Sequence, residues 1–312
     1  MKHAKAKTAE IWAIGGGKGG TGKTFLSSQL AKYLALKKKQ VILIDTDFGG
    51  ANLKYFFNIK KSEKSIKNFF VNKEPLENLC SHTDIRNLKI ITGDYNSISI
   101  NTIKYSQKMK LLRHIKMLNA DYILMDLGGG LNFNTLDIFL LADKMIAITV
   151  PEITAIDNLF RFVKNAYFRK LNFLLKSHKL KDAAKNIWKD RKVYGIEDII
   201  GLTDYIKKNL DFDGYISKEI SQFSIFIVLN KLRNPNEINQ GFSIKSLCIK
   251  YLGIPSIYAG YIGFDENFRK NLSLSDYLPK FNISTRIQKE ITEIAENIIN
   301  KEQIKISDMK NA

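Results

Sequence analysis

The stretch that constrains this chain most is Gly15–Thr24, which reads GGGKGGTGKT. Gly17, Gly22, Lys23 and Thr24 satisfy the pattern GxxxxGK[ST] with its spacing intact. The flanks matter as much as the match. A short apolar run, EIWAIG at 10–15, precedes the loop, and Phe25, Leu26, Leu30, Tyr33 and Leu34 recur at helical spacing after it. Glycines let the backbone curl so that successive N–H groups face phosphate oxygens, and the following helix adds the partial positive charge of its N-terminus. The pattern therefore predicts a strand–loop–helix unit that binds phosphate through Gly17, Lys18, Gly19, Gly20, Thr21, Gly22, Lys23 and Thr24. Lys23 is expected to reach the β- and γ-phosphates, and the Thr24 hydroxyl to ligate Mg²⁺.

Runs of strand length recur at 41–45, 88–92, 122–126, 145–150, 224–230 and 254–260. They are continuously apolar rather than alternating, which implies burial on both faces, as in a parallel sheet covered by helices. Between them lie helical patterns at Met109, Leu112, Ile115 and Leu118, then at Ile156, Leu159, Phe160 and Val163. The expected fold is α/β, a doubly wound and mostly parallel sheet flanked by helices. Residues 165–222 break the rhythm and read as a helical insertion within a single domain spanning 8–300, followed by a tail at 301–312. Ile287, Ile291, Ile294, Ala295, Ile298 and Ile299 share one face of a C-terminal helix, which fits packing on the sheet; a membrane-surface helix is the alternative.

The net charge is +18, yet only eight of the 49 basic residues are arginine. A basic surface suits polyanions such as nucleic acid or anionic lipid. Lysine scattered by a Lys-, Ile- and Asn-rich composition gives the same number without a ligand, and both readings stay open. Lys37–Lys39 form the densest run, where a helix end and its dipole account for them. Cys80 and Cys248 lie far apart with no CxxC, which argues against a zinc site or an iron–sulfur carrier. The first residues lack the apolar stretch of a signal peptide, and no apolar run approaches the roughly 18 residues of a spanning helix. The expectation is a cytoplasmic protein, at most peripheral at the inner face of the cell membrane.

With Lys18 included, the loop resembles the deviant Walker A motif of the MinD/ParA group of ATPases. In that family the extra lysine crosses a dimer interface to the phosphates of ATP bound by the partner. Ile44–Leu53 (IDTDFGGANL) resembles the family's switch I. By that likeness Asp45 supports the Mg²⁺ shell and Asp47 orients or activates the attacking water. Tyr122–Gly130 (YILMDLGGG) resembles Walker B with switch II. There Asp126 would bind Mg²⁺ through water and Gly128 would swing its N–H toward the γ-phosphate. Pro151–Ile156 (PEITAI) resembles a segment near the dimer interface and brings in Glu152. Asn230, after a strand, matches the residue that reads the adenine edge. Gly260–Asp265 (GYIGFD) resembles the loop that closes over the base, with Asp265 retained and Gly263 where proline is usual.

The resemblance covers nearly the whole chain outside 165–222, and its nearest likeness is to the flagellar placement regulators FlhG, FleN and YlxH. The N-terminal Asp-Gln-Ala motif of that branch is not evident. What the resemblance implies is an ATP- and Mg²⁺-dependent homodimeric switch with Lys18, Lys23 and Asp47 as its catalytic set. It would hydrolyse ATP slowly until a protein partner or activator intervenes, and would position a cellular assembly, with the flagellum as the finer reading of the likeness. The alternative is a partition ATPase that binds DNA without sequence preference.

Overall fold

The computed structural model describes residues 8–47, 50, 52–57, 59, 64–93, 105–266 and 283–304. Phe48, Gly49 and Ala51 of the switch I stretch, and residues 305–312 of the tail, lie outside the described residues. The chain builds an eight-stranded sheet in the order β3-β4-β2-β5-β1-β6-β7-β8. Its strands are β1 (Glu10–Gly15), β2 (Val41–Asp45), β3 (Ser81–His82), β4 (Leu88–Ile91), β5 (Tyr122–Asp126), β6 (Lys144–Thr149), β7 (Ile225–Leu232) and β8 (Ser256–Gly263). Every pairing is parallel except that of the edge strand β3 with β4. β3 was not foreseen. Two polar, partly exposed residues carry no periodicity to detect.

Helices cover both faces: α1 (Lys23–Leu36), α2 (Ile66–Val71), α3 (Tyr105–Met117), α4 (Phe133–Phe139), α5 (Ile153–Ser177), α6 (Lys181–Lys189), α7 (Ile199–Asn209), α8 (Tyr215–Ser221), α9 (Asn239–Leu252) and α10 (Thr285–Asn300). Side chains alternate across the sheet because successive strand residues point to opposite faces. Ile11, Ala13, Ile42, Ile44, Ile123 and Met125 pack on α3, α4 and α5. Trp12, Ile14, Leu43, Leu124, Ile146 and Ile148 pack on α1 and α10. The strands are buried on both sides, which is why they read as unbroken apolar runs.

Three boundaries differ from the sequence reading. The helix beginning at Ile153 does not stop near residue 165. Ala166, Tyr167, Leu171, Leu174 and Leu175 carry its buried stripe on to Ser177. β7 runs through Asn230 to Leu232, and Gly260–Gly263 belong to β8, leaving only Phe264 and Asp265 beyond the strand. The apolar face of α10 is spent on the core, where Ile287, Ile291, Ile294, Ala295 and Ile298 are buried, so the membrane-surface alternative does not hold for this helix. Among the described residues no helix is long and apolar enough to cross a membrane.

This topology fixes where a ligand can bind. From β1 the chain winds outward to β2 and β4, returns to β5, then crosses to β6 on the other side of β1. Such a reversal opens a crevice beyond the C-terminal ends of the strands. Gly15, Asp45 and Asp126 end β1, β2 and β5 there.

Candidate functional site

The loop after β1 is shaped by what presses on it. A Cβ on Gly17 would fall 2.0 Å from the carbonyl oxygen of Asn158, on α5, and one on Gly16 would fall 2.6 Å from that of Ile148. Gly22 caps α1 with φ 98°, a left-handed conformation that glycine adopts without strain. A Cβ there would also fall 2.0 Å from Nδ2 of Asn230. Gly19 and Gly20 have open space where a side chain would stand.

Side chains from the loop itself, from α1 and from β7 hold the loop's carbonyls, Thr21 Oγ1 donating to that of Lys18 at 3.5 Å. Lys23 Nζ donates to the Lys18 carbonyl at 3.0 Å, Asn230 Nδ2 to that of Thr21 at 2.8 Å, and Lys231 Nζ to that of Gly20 at 2.8 Å. Asn230 Oδ1 also accepts from the Lys231 N–H at 2.9 Å. Lys23 is buried to 7% exposure, and burial lowers its pKa against the opposing pull of Asp126 and Asp47.

Asp45 and Asp126 are direct partners in the β2–β5 register, each 1% exposed. Asp45 Oδ1 accepts from the Asp47 N–H at 3.0 Å, and its Oδ2 from the Leu53 N–H at 3.2 Å, so this carboxylate holds both residues to the end of β2. Burial first, then the charge of Asp126, push the Asp45 carboxyl well above the usual carboxylate range. Burial pushes Asp126 up to about 7, with the Thr24 and Ser27 hydroxyls and the Lys23 ammonium pulling it back. Asp126 Oδ1 is buried with no hydrogen-bond partner. A buried carboxylate oxygen without a donor is costly, and a hard cation would satisfy it. The residues therefore fit a divalent ion beside Thr24.

Asp47 lies against Gly128, whose added Cβ would sit 2.9 Å from Asp47 Oδ1. The two switch-like segments thus touch, and only glycine leaves room. Lys18 Nζ pairs with Glu152 Oε2 of its own chain at 3.1 Å, with both side chains substantially exposed at 42% and 62%. The structure thus brings Lys18 to Glu152, and Lys23, Thr24, Asp45, Asp47 and Asp126 to one another.

Beside them opens a pocket of ≈ 420 Å³. It is lined by the loop, Asp47, Asn230 and Asp265, and by Phe56, Lys231, Ile262 and Phe264. Ile262 and Phe264 belong to the Gly260–Asp265 segment read from the sequence as closing over the base, whereas Phe56 and Lys231 were not singled out as site residues. Phe56 sits on a 3-10 turn, Leu53–Phe57, that carries no motif. Phe264 is stacked under the guanidinium of Arg233 at 5.0 Å. The departure at Gly263 has a local cause: its N–H donates to Glu290 Oε2 at 3.0 Å, and a Cβ would meet the Arg286 guanidinium at 2.9 Å. Proline could make no such bond.

A phosphate-cradling loop at the reversal point of a mostly parallel sheet, with acidic residues ending two neighbouring strands, defines a P-loop nucleotide-binding protein. A family model described as an AAA domain (AAA_31) matches residues 9–176, more than half of the chain. The chain belongs to this family and, by its deviant loop and its relatives, to the MinD/ParA P-loop ATPases.

An ATP-binding protein of Methanocaldococcus jannaschii is 34% identical over 164 residues, covering 50% of this chain and 59% of that protein. The flagellum site-determining protein YlxH of Helicobacter pylori is 29% identical over 154 residues, covering 49% and 52%. The chain thus spans a little over half the length of these relatives. The cell division ATPase MinD of Pyrococcus furiosus shares the fold with a TM-score of 0.59 at 18% identity, over 94% of this chain and 99% of that one. A plasmid partition protein of Borrelia burgdorferi does so with 0.55 at 19%, over 95% and 100%.

Proposed function

We propose that this protein is an ATP-dependent dimerising switch that hydrolyses ATP to control the position or number of a cellular assembly. The observation that carries the reading is Asp126: a buried, unpartnered carboxylate oxygen beside Lys23 and Thr24, in register with Asp45. In this reading Thr24, Asp45 and Asp126 hold Mg²⁺, directly or through water. The ion supplies positive charge against the phosphates and restores the two carboxylates to their ionised form.

The loop N–H groups and Lys23 bind the phosphates and Asp265 faces the base, while Asn230, its Nδ2 on the Thr21 carbonyl and its Oδ1 on the Lys231 N–H, supports the loop from the pocket wall. Asp47 orients the attacking water, and Gly128 answers to the γ-phosphate. Lys18 is the residue given to a second copy. Its pair with Glu152 is exposed and worth about 0–1 kcal/mol, so it is easily surrendered. Residues 8–300 would form one domain, with 165–222 as its helical insertion and 301–312 as a tail.

Positioning is supported by relatives and fold neighbours named for placing flagella, dividing cells or partitioning plasmids. The flagellar role is the finer reading. It rests on YlxH and on three stretches of sequence, Ile44–Leu53, Leu127–Leu141 and Pro151–Lys164. A second reading, nonspecific DNA binding by the ATP-bound dimer, is favoured by the +18 charge and the partition-protein fold. Cytoplasmic residence with peripheral membrane contact, and a stimulating protein partner, complete the proposal.

ATP turnover of purified wild type and of Asp47→Ala, with and without Mg²⁺, tests the enzyme. Turnover that needs Mg²⁺ and is lost in the variant supports it; Mg²⁺-independent turnover, or none even when cell extract is added, counts against it. Pelleting of trapped Asp47→Ala with anionic liposomes or with duplex DNA separates membrane placement from partition. Steep weakening with salt is expected for DNA.

A further inference from the structure

Resting on the nucleotide reading above, the geometry points to Lys231 as a further nucleotide-positioning residue, acting through the loop after β1. Lys231 stands at an irregularity of β7, where the register against β8 slips between Asn230 and Leu232. Its φ of 62° lies in the left-handed region, which costs a residue with a Cβ about 1 kcal/mol or more. The other left-handed lysines, 38, 73, 179 and 301, each follow a helix end, where such a turn closes the helix. Lys231 has no helix to close. What its conformation achieves is to bring Nζ to the Gly20 carbonyl, 2.8 Å away, on the wall of the pocket.

Neighbouring Asn230 does the same for Thr21 at 2.8 Å, and its Oδ1 holds the Lys231 N–H. A trans peptide points its C=O and the next residue's N–H in opposite directions. Fixing the carbonyls of Gly20 and Thr21 on the β7 side therefore turns the N–H groups of Thr21 and Gly22 the other way, as an anion cradle requires. Gly20 has φ 75°, and a Cβ on it would meet nothing within 4 Å, so no packing on that side holds the residue. Lys231 supplies the constraint, and its ammonium adds a positive charge at the pocket wall.

The test is equilibrium binding of a fluorescent ADP analogue with Mg²⁺, together with steady-state ATP turnover. Lys231→Gly removes the ammonium at a backbone position that glycine favours, so loss of fold does not account for loss of binding. It is expected to weaken the analogue about tenfold, the scale of one hydrogen bond from a charged donor. KM for ATP should rise in step, with kcat at saturation within about twofold, because a positioning residue is recovered once substrate fills the site. Lys231→Arg should restore binding. If wild type binds the analogue and Lys231→Gly binds it equally well, or if the variant loses kcat with KM unchanged, the inference is overturned while the nucleotide reading stands. If wild type binds neither ADP nor ATP, both fall.

Discussion

Asp126 and Asp45 sit side by side and are buried to 1% exposure, where the anionic form of either is poorly solvated. The consequence for stability has a definite sign. A carboxyl raised in the folded state binds a proton that the unfolded chain has already released. In the nucleotide-free protein the Asp126 contribution is thus fully present below the ordinary carboxylate value of 3.8, and is lost as pH rises toward about 7. Asp45 acts in the same direction. The melting temperature without Mg²⁺ should fall between about pH 5 and about pH 7.5, and Asp126→Asn should flatten that fall. Thermal melts across this range check it, and a variant slope equal to wild type would contradict it.

Gly17 makes a second residue-scale prediction. A Cβ there would come within 2.0 Å of backbone on α5, so Gly17→Ala must shift the loop or the helix. Overpacking of this kind costs roughly 1–3 kcal/mol, readable by urea denaturation, and nucleotide binding should weaken with it.

Among the elements, α10 packs on the sheet, as its isoleucine stripe implies. The stripe fits a core face better than a membrane face, because the polar side is mixed in sign and the helix carries no Trp, Phe or Leu. Here Ile294 is 1% exposed against β8, and Ile294→Ala should cost about 2–5 kcal/mol. The same helix holds the end of β8 through Glu290 and Arg286, by way of the Gly263 N–H and the Phe264 carbonyl. Gly263→Pro should weaken nucleotide binding by loosening Phe264 and Asp265, although proline is the usual residue at this place in related loops.

The strands β1, β2 and β5 were legible to the residue because both faces are buried, which leaves an unbroken apolar run with an abrupt end. The carboxylates were legible because they sit at those ends. α5 was misjudged at residue 165 because lysines on its outer face hide a stripe that continues from Phe162 through Leu175. Lys231 escaped notice because its reach depends on a strand irregularity that no residue type announces. Phe56 reaches the pocket only through tertiary packing.

At the scale of the whole molecule, the site is asymmetric in a telling way. Lys23, Asp45 and Asp126 are buried and committed to the loop and the strand ends, whereas Lys18 and Glu152 are paired at the surface where another molecule can reach them. The proposed switch therefore turns on a group whose monomer contact is weak. Lys18→Ala should leave the melting temperature of the free protein nearly unchanged, a difference of about 0.5 kcal/mol or less. The net charge of +18 gives the chain, and the proposed dimer with it, a field that favours anionic surfaces, an effect that salt should suppress.

The central claim is that ATP with Mg²⁺ joins two copies through Lys18, and light scattering after gel filtration reads it directly. Asp47→Ala incubated with ATP and Mg²⁺ is predicted to run as a dimer, to return to monomer with ADP, and to stay monomeric when Lys18→Ala is added. A monomer under every nucleotide, or a dimer indifferent to Lys18, would contradict the account.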